Sequence, residues 1–442
     1  MEKQFSHFIK NTIKTPLQDQ YLLAVSGGVD SMVMAHLFRD QGFSIGLAHV
    51  NFTLRGKDAE LDQEFVKSLA ESWGVPYYHK RVDTADYARS KRISLQMAAR
   101  EIRYQWFEEL LASSDYQWVV TAHHQNDELE TMLLNFTKGT GLAGLHGIAP
   151  KRGNIIRPLL FATKQRILDY ARKSQISWRE DSSNQSDYYQ RNLIRNKVIP
   201  ILKEINPKLE QTAHASAEVI GVAETVFLRK VEEIKATLLI QKGDHIWIDT
   251  SLLTSQPLPI WFQILNEYGF NYQQVIKIAD TLGKSGSKFI SSTFQLNVDR
   301  HHLVITPLNK QSLSGFTIDN TSGSYQQGNK TWTLARHEAK SFSIKVDDGT
   351  GAFDLESLQF PLRVRNWEPG DWFHPLGMSH RKKVSDLLVD VKVPLNLKDE
   401  VQVVTSGEDI VWVVGFRIDD RFKITQQTEK VLEITINNAL QE

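Results

Sequence analysis

The apolar run Tyr21-Leu22-Leu23-Ala24-Val25 passes directly into Ser26-Gly27-Gly28-Val29-Asp30-Ser31, and a helical pattern with Met32, Val33, Ala35, Leu37 and Phe38 on one face follows. A short buried strand that turns through two glycines into a helix is the opening half of a βαβ unit. Strand-like runs recur at 21–25, 44–50, 76–82 and 118–122, with helical patterns near 31–41, 58–73, 95–112 and 126–137. This alternation predicts an α/β fold, a doubly wound parallel sheet, over residues 1–215. Ligands of such sheets sit beyond the carboxyl ends of the strands. Three ends then converge: the glycine loop, His49-Val50-Asn51, and Thr121-Ala122-His123-His124.

The loop itself suits phosphate. Glycine lets the backbone approach closely, the turn aims N–H groups inward, and the helix N-terminus adds positive potential. Ser26 and Ser31 add hydroxyl donors, and Asp30 can hold a magnesium ion that bridges phosphates. Gly27 and Gly28 alone would equally serve a plain structural turn. Gly283-Lys284-Ser285 imitates the end of another phosphate loop, but Ile278 stands where that loop needs glycine, so a polar turn is expected.

A chain of 442 residues has room for two or three domains. The pattern changes to a small α+β domain over 216–345 and to a β-rich one over 346–442, with 317–329 reading as linker. The 52 basic and 52 acidic residues argue against a general polyelectrolyte binder. The absence of cysteine excludes disulfides, thiolate metal sites and thiol catalysis. The first 14 residues lack the apolar core of a signal peptide, and no long apolar run suggests a membrane span, so a cytoplasmic protein is expected.

Arg100 and Arg103 are three apart on a helical pattern and share a face, where an anion or an ion pair with Glu101 or Glu108 would relieve their repulsion. Asp127 and Glu130 share a face of the next helix, with His123 just before it. Such carboxylates can grip an ammonium group, bind metal or act as a base, although first turns favour acids for dipole reasons alone. Between Lys138 and Lys197 there are 12 Lys and Arg against 4 Asp and Glu, with Phe161, Tyr170, Trp178, Tyr188 and Tyr189 interleaved. That mixture suits RNA, and a solvated helix face is the plainer alternative.

In order, these segments resemble the tRNA(Ile)-lysidine synthase family of the PP-loop ATP pyrophosphatases. The resemblance rests on 26–31, His49-Val50-Asn51, Leu54-Arg55, Ala99-Arg100, Arg103-Tyr104 and Thr121 to Thr131. It continues through Gly139-Thr140-Gly141, Arg157-Pro158-Leu159-Leu160, and Trp178 with Asp181, Asn184, Tyr189, Arg191, Asn192 and Arg195. Pro369-Gly370-Asp371, Lys382-Lys383 and Pro394 extend it into the last domain. Phe52, Gln96, Asn126 and Lys398 depart from the family pattern.

The resemblance implies ATP and Mg²⁺ as cofactors, with L-lysine and an isoleucine tRNA bearing a CAU anticodon as partners; a homodimer is left open. It implies nucleotide contacts from Ala24, Ser26, Gly27, Gly28, Val29, Asp30, Ser31, His49, Asn51 and Thr121, with Asp30 on the metal. Catalytic roles fall to Asp30, Arg100, His123, Asp127 and Glu130, and tRNA contacts to Arg55, Arg103, Arg191, Arg195, Lys382 and Lys383. Other readings are a sulfur-transferring tRNA enzyme, disfavoured by the missing cysteines, an amide-forming synthetase for a small molecule, and a non-catalytic RNA-binding relative.

Overall fold

The computed structural model describes residues 1–54, 56–180, 190–309, 314–319, 321–343, 347 and 349–438. They fall into two compact units, Met1–Arg229 and Lys230–Glu442.

In the first unit, strands β1 (Gln20–Ala24), β2 (Ser44–Asn51), β3 (Tyr77–Arg81), β4 (Trp118–Val120), β5 (Lys151–Arg152) and β6 (Ile155–Ile156) form one sheet in the order β3-β2-β1-β4-β6-β5. All neighbouring pairs are parallel except β5 with β6. The central strand shows why the sheet is covered on both faces. Tyr21 and Leu23 pack into one apolar cluster with Val33, Leu37, Phe38 and Ile167, whereas Leu22 packs into another with Trp106, Phe107 and Val119. Alternate side chains of a strand point to opposite faces, so a continuous apolar run requires helices on each side. Helices Val29–Asp40 and Lys164–Lys173 cover the first face and Leu95–Ala112 the second.

The doubly wound sheet expected for 1–215 is therefore present, and the four expected strands and four helices lie within a few residues of their predicted positions. The sequence pattern did not reveal helix Glu2–Phe8, whose Phe5 stacks edge-on to Phe38 at 5.2 Å, or the short β5–β6 pair. The order reverses at β1, which has β2 on one side and β4 on the other. A crevice opens at such a reversal.

In the second unit a five-stranded antiparallel sheet (Leu239–Lys242, His245–Asp249, Lys288–Ile290, Phe294–Val298, His302–Pro307) carries helices Leu258–Asn266 and Tyr272–Asp280. Two further sheets enclose Trp332, Phe353, Trp412 and Leu432. The segment 317–329, expected to be linker, instead contributes strands Phe316–Ile318 and Gly323–Gln327. The former pairs with Leu362–Asn366, and Lys330–Glu338 pairs with Lys430–Asn438. Strands from the expected middle segment 216–345 thus belong by pairing to the β-rich end 346–442. The sequence disguised them because Gly323–Gln327 is a sheet edge, where polar residues guard the unpaired backbone.

Candidate active site

The glycine loop closes the gap between β1 and helix Val29–Asp40. Gly27 has φ +91°, a conformation that side chains disfavour. Ser31 Oγ donates to the Gly28 carbonyl at 2.9 Å and accepts from the Ser26 N–H at 3.1 Å, while the two serine hydroxyls are 3.2 Å apart. His49, nearly buried at the end of β2, places Nδ1 2.9 Å from the Val25 carbonyl and braces the loop from below. From the far side the Arg179 N–H reaches the Gly27 carbonyl at 3.0 Å, and the Arg179 guanidinium pairs with Asp62.

Asp30 faces out of the first helical turn toward two cations. Lys164 Nζ is 2.7 Å from both carboxylate oxygens, and His124 Nε2 is 3.7 Å away. Burial opposes ionisation of Asp30, but His124 and Lys164 outweigh it and hold its pKa below the ordinary carboxylate value.

His124 is the N-cap of helix Gln125–Lys138, and its own N–H donates to Asp127 Oδ2 at 3.1 Å. Its ring also lies 3.4 Å from Asp127, so one imidazole spans the phosphate-loop acid and the first acid of the next helix. Burial disfavours the imidazolium, yet Asp127 and Asp30 lift the His124 pKa above 6.5. Asp127 is held low despite its burial by His124, His123 and Arg191.

Glu130, one turn on, is 2% exposed. Arg191 Nε and Arg195 Nε each donate to it at 2.6 Å, and Arg195 Nη2 donates at 2.9 Å; Arg191 also reaches Asp127 Oδ1 at 3.0 Å. The helix carrying both acids is therefore clamped by the segment Gln190–Val198. His123 sits beside this cluster with Nδ1 3.0 Å from Thr121 Oγ1, and burial pushes its pKa down to about 4.

Above the strand ends lie Arg100, over the Tyr104 ring at 4.6 Å, and Arg103, over the Phe52 ring at 5.3 Å. Among the described residues neither has a carboxylate partner, so the ion pair with Glu101 or Glu108 does not form. Two family departures acquire structural roles here. Phe52 seats Arg103, and Asn126 accepts from the Lys164 N–H at 2.8 Å while donating to Glu210 at 2.9 Å.

The descriptions of three family models match the chain in order: a PP-loop domain at residues 1–202, a TilS substrate binding domain at 241–308, and a TilS substrate C-terminal domain at 362–434. A protein of Parabacteroides distasonis named tRNA(Ile)-lysidine synthase is 37% identical over 412 residues, spanning 93% of this chain and 94% of its own. One of the same name from Bacteroides thetaiotaomicron is 34% identical over 94% of both chains. The chain belongs to the tRNA(Ile)-lysidine synthase family. A like-named protein of Caldanaerobacter subterraneus is 32% identical and spans 94% of this chain and 93% of its own.

Not every residue expected from that family faces the crevice with a free group. Asn51 donates to Gln63 at 3.1 Å and accepts from the Thr53 N–H at 3.0 Å, so its amide braces the turn after β2. Lys382 pairs with Asp390 in the second unit, whereas Lys383 is exposed. Arg55, Asp181, Asn184, Tyr188 and Tyr189 lie outside the described residues. Sequence reasoning passed over Lys164 and named His124 only as part of a string. The signal for Lys164 was its place directly after Thr163, the N-cap of its helix, which fixes its side chain at the sheet's carboxyl edge.

Proposed function

We propose that this chain attaches lysine to the wobble cytidine of tRNA(Ile) with a CAU anticodon at the crevice between β1 and β4. The observation that carries this reading is the His124 bridge, which joins the phosphate-loop Asp30 to Asp127 on the next helix and makes two distant motifs one site.

The family reaction is ATP-dependent and has two steps. The cytidine C2 oxygen attacks the ATP α-phosphorus, which expels pyrophosphate and leaves an O-adenylated base. The lysine ε-amine then attacks C2, loses a proton, and expels AMP. In the first step negative charge moves onto pyrophosphate. The loop N–H groups, Ser26, Ser31 and the Lys164 ammonium are set to receive it. Asp30 would hold Mg²⁺. One carboxylate together with substrate phosphates suits that ion, and its two oxygens already face a cation. Bound there, the ion would neutralise phosphate charge.

For the second step Asp127 is the seat we assign to the lysine amine. Its depressed pKa keeps it charged, which favours an ammonium partner and makes it a weak base. Glu130 acts through Arg191 and Arg195 as a positioning residue. His123 stays neutral at physiological pH and can accept a hydrogen bond at the reacting base. Arg100 and Arg103 offer unpaired charge to phosphate or to the RNA, and the splayed wobble base would enter beneath them. Exposed Lys383 extends the RNA contact in the second unit. Among the described residues no helix is long and apolar enough to cross a membrane, and a cytoplasmic location fits a tRNA-modifying enzyme.

The test is to incubate the protein with ATP, magnesium, labelled lysine and either CAU-anticodon tRNA. Label in the isoleucine tRNA alone, with AMP and pyrophosphate released, is the expected result. ATP cleavage that requires another amine and no tRNA would overturn the reading.

A further inference from the structure

In the second unit a cavity of about 180 Å³ lies between two walls. One wall is the turn Ser285-Gly286 with the strand end Asn297 to Arg300; the other is Val389 at the end of helix Val384–Asp390 and the following chain to Lys398. The walls are fastened to one another beside the cavity. Asn396 Nδ2 donates to the Val304 carbonyl at 3.2 Å and to Thr306 Oγ1 at 3.3 Å, and His245 Nε2 meets Glu400 at 2.9 Å.

The lining is charged in one direction. Arg300, Lys392 and Lys398 contribute three cations, none with a carboxylate partner among the described residues. Asp299 is the one acid in the lining, and it accepts from Ser285 Oγ at 3.3 Å. Elsewhere in the second unit Arg365, Lys382 and Lys423 each close on an aspartate. Three like charges converging on one hollow repel each other unless an anion lies between them.

A further feature points to a ligand. Asn297 is 1% exposed; its Oδ1 accepts from Gln295, while its Nδ2 has no partner among the described residues. A buried donor without an acceptor is rare and calls for one. Lys392, at φ +61°, is the left-handed residue that closes helix Val384–Asp390, with the Val393 N–H on the Leu388 carbonyl at 2.9 Å, so this cap fixes its place at the cavity. Val389 and Leu395 stand at the rim, each more than half exposed, and offer aliphatic surface beside the charge.

We propose that this cavity binds a backbone phosphate of the tRNA, with Arg300, Lys392 and Lys398 on the phosphate oxygens and Val389 and Leu395 against the adjoining ribose. This rests on the tRNA-modifying function proposed above. The volume is several times that of one water, which is enough for a phosphate group. A free inorganic phosphate shares the chemistry, but it would gain nothing from the aliphatic rim.

The test measures tRNA(Ile) affinity against salt for the full chain and for Lys392→Gly, Lys398→Gln and Lys340→Gln. Lys392→Gly removes the charge while relieving the backbone, so it remains folded; Lys340 lies outside the cavity and serves as control. Each cavity variant should bind roughly tenfold more weakly at low salt, with the log–log salt slope reduced by about one. The control should match the wild type. Unchanged affinity and slope in both cavity variants, while the wild type still transfers lysine, overturns the proposal and leaves the function standing. Weakened binding of inorganic phosphate with unchanged tRNA affinity also overturns it. A wild type that transfers no lysine to tRNA(Ile) overturns the premise that the ligand is this tRNA.

Discussion

Replacing Glu130 by glutamine separates two roles that a buried acid in this position can hold. As a clamp it receives three charge-assisted hydrogen bonds, two at 2.6 Å and one at 2.9 Å, from Arg191 and Arg195. An amide keeps only one oxygen. With that oxygen toward Arg195 Nε, the NH₂ group faces the donors Arg191 Nε and Arg195 Nη2, and two bonds are lost; flipped, one is lost. A hydrogen bond to a charged group contributes about 1.5–3 kcal/mol. The guanidinium side chains are 34% and 37% exposed, so water takes up part of the loss. The net cost is therefore about 2–3 kcal/mol. It should appear in urea titration and as faster amide exchange confined to Gln190–Val198 and its partner helix. Lysine transfer should fall with this loosening. If exchange and stability match the wild type while the KM for lysine rises steeply, Glu130 contacts substrate and the clamp assignment is refuted.

Lys164→Met removes the ammonium that lies 2.7 Å from both Asp30 oxygens; pyrophosphate release should fall by roughly 100-fold, and unchanged turnover would exclude Lys164 from phosphate chemistry. Two histidines should give opposite pH signatures in denaturant titrations. Burial holds His123 at about 4 against an ordinary 6.5, so the unfolded chain takes the proton first, and stability present above 6.5 is lost as pH falls toward 4. The Glu128 carboxylate raises His214, so its contribution is complete below 6.5 and fades as pH rises through the raised value. His214→Gln should accordingly cost more at pH 6 than at pH 9, and an equal cost at both would contradict the ion pair. Gly46→Ala would place a Cβ 2.1 Å from the Tyr116 hydroxyl and should destabilise by about 1–3 kcal/mol, with Tyr116→Phe in the same chain recovering part of the melting temperature.

The parallel sheet was legible because its strands β1, β2 and β4 are buried on both faces and the helices that cover them on one, and these periods survive in the sequence. The run Tyr21-Leu22-Leu23 has no polar member, and all three side chains are wholly buried. Gly323–Gln327 was illegible for the converse reason. An edge strand has one side without a partner and little to bury, so its Gly, Ser and Gln residues carry the signature of a linker.

The same contrast divides the site. Asp30, His123 and Asp127, grouped beyond the strand ends, stand in local strings whose spacing suggests the chemistry proposed for them. Lys164, Arg191 and Arg195 do their work across a fold, 134, 61 and 65 residues from the carboxylates they meet. Nothing in a neighbouring residue announces such a pairing, and a basic segment with interleaved rings reads the same whether its charges face RNA or an internal acid. The structure pairs Arg191 and Arg195 with the internal acids, whereas Arg100 and Arg103 lie over the Tyr104 and Phe52 rings with no carboxylate partner among the described residues. Excess positive charge at the crevice therefore sits on helix Leu95–Ala112, above the strand ends, and not on the clamp. A polyanion entering from that side meets unpaired cations before it reaches the acids. In the seat proposed above, the amine of lysine would compete with Arg191, which lies 3.0 Å from Asp127. On that proposal, release of Arg191 from Asp127 is what the amine requires, and the segment Gln190–Val198 is where that exchange would take place.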